Sequence, residues 1–199
     1  MQRLRTIWVA MFLMVLGVFR AIPAMAIDVQ PSAEQVRAAL DGGNAAATQG
    51  RAPDSFYVRF GADDELHPSG FLITKLGALS VMATHMALRG LQPSEADVAQ
   101  VVETKTMLVS AVIFGESVIF AQESYLVLDQ AGRTVKPVTV RFDGQANRTA
   151  VWPEHPRFKA KVVASFNYSD FDPRAKTTIT VFPASGGAAS FVIDFAGIQ

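Results

Sequence analysis

The chain has 199 residues, 18 basic and 18 acidic side chains, no cysteine, and a charged fraction of 18% against 50% hydrophobic residues. This balance excludes a disordered chain, a disulfide scaffold, a zinc finger and a basic nucleic-acid binder. The length allows one domain, with a core large enough to be stabilised by packing alone.

Residues 1–26 read as a secretory signal peptide. Arg3 and Arg5 open it, an uncharged apolar run follows over 7–19, and Ala24-Met25-Ala26 supplies the small-x-small cleavage pattern. The run falls short of the roughly 20 residues a spanning helix needs, and Arg20 ends it; an uncleaved anchor is the alternative. Without cysteine, attachment of a lipoprotein lipid is excluded. The expectation is an exported protein, periplasmic or secreted, whose mature chain carries 15 basic and 18 acidic groups, net −3. Residues 27–130 are net −7 and residues 131–199 net +4, which can steer a charged partner or simply mark two solvated faces.

Residues 27–49 begin with a short helix. Ser32 and Gln35 fit a capping box, Val36, Ala39 and Leu40 form its stripe, and Asp41-Gly42-Gly43-Asn44 is expected to stop it. The small, polar stretch 45–53 reads as a flexible arm. Phe56, Val58 and Phe60 alternate as a strand, followed by an acidic turn and then a break at Pro68-Ser69-Gly70. Helices are expected over 75–89, capped by Thr74, and over 95–103, capped by Ser94. They form a helical hairpin inserted at 74–103. Residues 107–114 are apolar throughout, as in a central strand. Further strands are expected at 124–129, 135–142 and 157–168, with a final hairpin at 177–182 and 190–195.

About seven strands with turns at sandwich-like spacing predict a mainly β fold: an immunoglobulin-like antiparallel β-sandwich at 54–199 with an inserted helical hairpin. Residues 27–53 would be a short helix and arm outside it.

No catalytic motif is present: no glycine-rich phosphate loop, no Gly-x-Ser-x-Gly elbow and no His-Glu-x-x-His helix. An enzyme is therefore not expected. Val151-Trp152-Pro153-Glu154-His155-Pro156 is the most unusual loop, because two prolines stiffen a segment holding the mature chain's only tryptophan. Rigid aromatic residues on loops are effective binding anchors, although such a tryptophan can also plug the end of a sandwich. Arg157, Lys159 and Lys161 follow on one strand face, with Arg141 and Arg148 as possible neighbours.

These features point to an exported, non-catalytic binding or accessory module that recognises another macromolecule, a protein or an anionic surface. Its contacts would be loops and one sandwich face, through Trp152, His155, Arg157, Lys159 and Lys161. No cofactor and no nucleic acid are expected. The alternative is a small-ligand or metal-binding exported protein, in which Asp63, Asp64, Glu65 and His67 hold a divalent ion. Asp170-Phe171-Asp172-Pro173 is a second carboxylate pair, read primarily as a turn.

Overall fold

The computed structural model describes residues 26–198; the expected signal peptide therefore lies almost wholly outside the described residues. Close to the start of the described residues, Ile27 is buried in the core, its N–H donating to the Pro173 carbonyl.

Helix α1 spans Ala33–Thr48 and has the predicted capping box: Ser32 Oγ accepts from Gln35 N–H, and Gln35 Oε1 accepts from Ser32 N–H. The predicted stop at 41–44 and the arm at 45–53 are corrected. The helix runs straight through Gly42-Gly43, and Pro53–Phe56 forms a 3-10 turn. Packing overrides the two glycines' low propensity. Gly43 lies against the backbone of α2 (Lys75–Ala87), where Thr84 Oγ1 donates to the Gly43 carbonyl and Ser80 Oγ to that of Ala39. Helix α3 is Glu95–Val102, with Ser94 as its cap. The tight helical pair is thus α1 with α2 rather than α2 with α3, and no α3 residue is fully buried.

The remaining elements are strands in two antiparallel sheets. The first has the order β1 (Val58–Gly61), β2 (Ser69–Ile73), β3 (Thr106–Gly115), β8 (Phe158–Asn167), β6 (Thr139–Phe142), with β7 (Asn147–Arg148) also on β8. The second has the order β10 (Ala189–Asp194), β9 (Lys176–Phe182), β4 (Tyr125–Gln130), β5 (Arg133–Val135). Between them lies a core of fully buried side chains, among them Leu72, Met107, Val109 and Ile113 from one sheet and Leu126, Leu128, Ile179 and Val181 from the other. Setting the two short extras β1 and β7 aside, the chain-order neighbours reproduce the immunoglobulin arrangement of a four-stranded sheet facing a second sheet. The fold class is a mainly β, immunoglobulin-like sandwich.

Two strand expectations change. Ser69–Ile73 is a strand rather than a break, so the helices enter after the second strand. The single strand expected at 135–142 is two: β5 pairs in one sheet and β6 in the other, and Pro137, which has no N–H to donate, lies where the chain crosses. At this edge Val140 packs partly against the core, while Val138 and Phe142 are exposed.

The helices sit at the end of the sandwich where β8 runs out. There Lys75 Nζ donates to the Val102 carbonyl (2.5 Å) and lies 5.3 Å from the Tyr168 ring. Burial pushes the Tyr168 phenol up to about 12 and holds the Lys75 ammonium below its usual range. With the phenol's folded value above its ordinary 10.0, its contribution is complete below pH 10 and lost as pH rises toward 12. Lys75 has the opposite sign: its folded value lies below 10.5, so its contribution is lost as pH falls. Tyr168 should therefore pull denaturation midpoints down between pH 10 and 12 by the equivalent of about 2–3 kcal/mol, with Lys75 offsetting part of that fall. Tyr168→Phe should flatten that fall, and an identical profile for the variant would refute the assignment.

Candidate functional site

Three separate segments of the sequence meet at the opposite end of the sandwich. The β1–β2 turn (62–68), the loop after β3 (116–124) and the long connection from β6 to β8 (143–157) are joined by hydrogen bonds or by a shared groove. Ala146 N–H donates to the Val118 carbonyl, Gln122 Nε2 to that of Gly144, and Lys161 N–H to Asp143 Oδ2. Thr149 closes the 149–157 loop on itself, its N–H bonding the Arg157 carbonyl and its Oγ1 the Pro156 carbonyl.

In this loop Trp152 is 43% exposed and does not plug the core. The Arg148 guanidinium stacks 4.1 Å from its ring centroid, a cation–π contact that orients the indole without burying it. His155 Nδ1 lies 2.7 Å from Glu116 Oε2, with Arg157 Nε 3.8 Å from the same oxygen and 3.1 Å from the Pro153 carbonyl. Both X-Pro bonds of the loop, before Pro153 and Pro156, are cis.

Beside the loop lies a groove of about 520 Å³ on the outer face of the first sheet. Its apolar floor follows from the register: Ser69 opposes Val112, Val112 opposes Lys161, and Phe114 opposes Lys159, so these side chains share one face. Phe71 completes the floor, stacked on Tyr57 at 4.3 Å. The walls carry Asp63, Asp64 and Glu65 on one side and Lys159 and Lys161 on the other, with Arg59 and Asp143 also lining it. Among the described residues no ion pair joins the acidic turn to either lysine. The acidic turn at 63–65 and the two lysines of β8 thus face one another across an open groove.

The residues of the two sequence-derived sets are neighbours. Trp152, His155 and Arg157 form the loop cluster, while Lys159, Lys161, Asp63, Asp64 and Glu65 line the groove. His67 does not line it; its Nδ1 is 2.8 Å from Asp64 Oδ2. Asp64 organises its own turn by accepting from the Leu66 and His67 N–H groups. The Leu66 N–H first, then the His67 side chain, hold the Asp64 carboxyl below its usual value. Among the described residues, no three His, Asp or Glu side chains are grouped to hold a metal ion. The second carboxylate pair is a turn: Asp170 accepts from Asn167 Nδ2 and Ser169 Oγ, and Asp172 Oδ1 from Arg174 N–H.

Sequence reasoning missed Glu116, which anchors His155, and the floor residues Phe71, Val112 and Phe114. Pairing of Gly115 with Phe158 brings Glu116 alongside Arg157, so only the β3–β8 register reveals that contact.

The class defined by this fold and site is an immunoglobulin-like sandwich with its exposed aromatic and charged groups gathered on the loops of one end. No protein-family model matches the sequence, and no curated protein matches it. Among solved structures, the chain is similar to the archaellum periplasmic stator protein FlaG from Sulfolobus acidocaldarius, at 13% identity and a TM-score of 0.32 over 46% of this chain and 88% of that one. It is also similar to the IgNAR antibody domain C3, at 16% identity and a TM-score of 0.31 over 54% and 89%. Among the described residues, no helix is long and apolar enough to cross a membrane.

Proposed function

We propose that the protein is an exported, non-catalytic module that holds a protein partner through this loop end. The observation that carries the proposal is the convergence of Trp152 and the two-signed groove at one end of the sandwich. An exposed indole, pre-oriented by Arg148, offers large contact area with little conformational entropy left to lose. Beside it, an apolar floor flanked by both charge signs matches a protein surface better than a polyanion, which the acidic turn would repel. The partner's charged groups would meet Lys159 and Lys161 on one wall and Asp63 and Glu65 on the other, with His155 and Arg157 at the rim.

The test is crosslinking in the native compartment, followed by affinity recovery and mass spectrometry at low and moderate salt. Trp152→Ala should reduce recovery of a specific partner by about 30-fold, the scale of a hot-spot residue, and the double charge reversal of Lys159 and Lys161 to Glu by at least about tenfold. Both variants should keep the parent melting temperature, because these side chains lie outside the core. Equal recovery by the parent and both variants would refute the proposal.

A further inference from the structure

The four sheet edges are not treated alike. An open edge strand offers unpaired N–H and carbonyl groups to any other strand, and proteins blunt such edges with short length, charge or proline. Strand β1 has four residues, with Arg59 paired to Asp54 and the acidic turn following. Strand β5 has three residues, one of them Arg133, and runs into Lys136-Pro137; β6 has four and carries Arg141. Strand β10 has six residues, Ala189–Asp194, in unbroken register with β9; it contains no proline, and its one charged residue is the terminal Asp194, opposite Lys176 on β9.

Two further observations mark β10 as unfinished. Among the described residues its backbone bonds run only to β9. Its core-facing side chains, Ala189, Phe191 and Ile193, stay only partly buried, whereas Ile179 and Val181 on β9 are fully buried. On the outer face Val192 is 62% exposed, among Thr178, Thr180 and Ser190, which are uncharged.

We propose that β10 pairs antiparallel with β10 of a second copy of this chain, joining two four-stranded sheets into one of eight across a two-fold axis. A two-fold perpendicular to the sheet keeps outward residues opposite outward residues, and a register centred on Val192 satisfies this. Val192 then faces its own counterpart, Ser190 faces the second copy's Asp194, and Phe191 faces the second copy's Ile193. The pairing is self-complementary: no like charges oppose, the Ser190 hydroxyl can donate to a carboxylate, and the apolar pairs cover the partly buried core edge. The surface lies on a different sheet from the groove, so this dimer does not depend on the proposed partner-binding role.

The absence of cysteine makes the test direct. Val192→Cys places two thiols across the two-fold, and mild oxidation of the protein, purified as the producing cell leaves it, should give a disulfide-linked dimer. Leu88→Cys, equally exposed at 56% but at the end of α2, should stay monomeric. Light scattering should give twice the chain mass for the parent at about 100 µM, and one chain mass for Val192→Lys, whose lysines would oppose one another. At concentrations low enough to dissociate the parent, the lysine variant's melting temperature should match the parent's, because the position is exposed. A monomeric parent, a dimeric Val192→Lys, or equal crosslinking of both cysteine variants would overturn the pairing.

Discussion

Phe166→Ala is expected to lower the unfolding free energy by about 3–5 kcal/mol, a large share of the roughly 5–15 kcal/mol that stabilises a domain. Phe166 is fully buried on β8, the strand that bonds to β3, β6 and β7, and its register partner on β3 is Met107, itself fully buried. Truncation removes an aromatic ring from between two sheets whose backbones are held by ladders on both sides, so the gap cannot close by local relaxation. The loss should therefore include a cavity contribution as well as lost burial. Equilibrium denaturation in urea is the measurement, and Phe166→Leu, which retains most of the volume, should recover the larger part. A loss below about 1 kcal/mol for the alanine variant would mean that the core at this point is not packed as described.

Gly43→Val is expected to destabilise by about 2–3 kcal/mol, while Gly42→Ala, one residue earlier in the same helix, is expected to be neutral or to stabilise by up to about 1 kcal/mol. A Cβ at Gly43 would meet the Ser80 carbonyl and lie 2.7 Å from Ala83 Cβ, so α1 would have to move away from α2. That movement would strain the bonds from Ser80 and Thr84 to the α1 carbonyls. A Cβ at Gly42 would meet nothing within 4 Å, and alanine there gains helix propensity without a clash. The opposite signs at adjacent glycines are the diagnostic result. Hydrogen exchange should show faster opening of α1 and α2 in Gly43→Val. The sandwich amides should stay protected, because Ala46, Leu79 and Ala83 pack in a helical layer outside the main core. Equal effects at the two positions would contradict the close helix approach.

The difference between these two glycines is also the difference between what could and could not be read from the chain. Asp41-Gly42-Gly43-Asn44 is a reasonable helix stop by local propensity. The helix continues because Gly43 is the contact point with a helix more than thirty residues away. Strand β2 was hidden for a similar reason. Pro68-Ser69-Gly70 looks like punctuation, yet Gly70 is needed where the Phe60 ring and the Ser110 carbonyl would crowd any Cβ. Residues 135–142 read as one strand, but the chain passes from one sheet to the other at Pro137, leaving Val135 on β5 and Val138 to Phe142 beside β8, a partition that periodicity does not encode.

Segments whose signals are local were legible from sequence alone. The capping boxes at Ser32 and Ser94, the period-two pattern of 157–168, the apolar run of 107–114 and the final hairpin all depend on side chains within a few residues of one another. They were enough to define a mainly β sandwich with inserted helices and to single out the Trp152 loop, the lysine stripe and the acidic turn. That these three lie together, that Glu116 anchors His155, and that Phe71, Val112 and Phe114 floor the groove between the charges were decided only by tertiary structure. Local order arises from backbone geometry and near-neighbour chemistry, which a sequence displays directly. The site arises from strand register and order, which bring together residues up to about a hundred positions apart, and these are settled only when the two sheets close on a shared core.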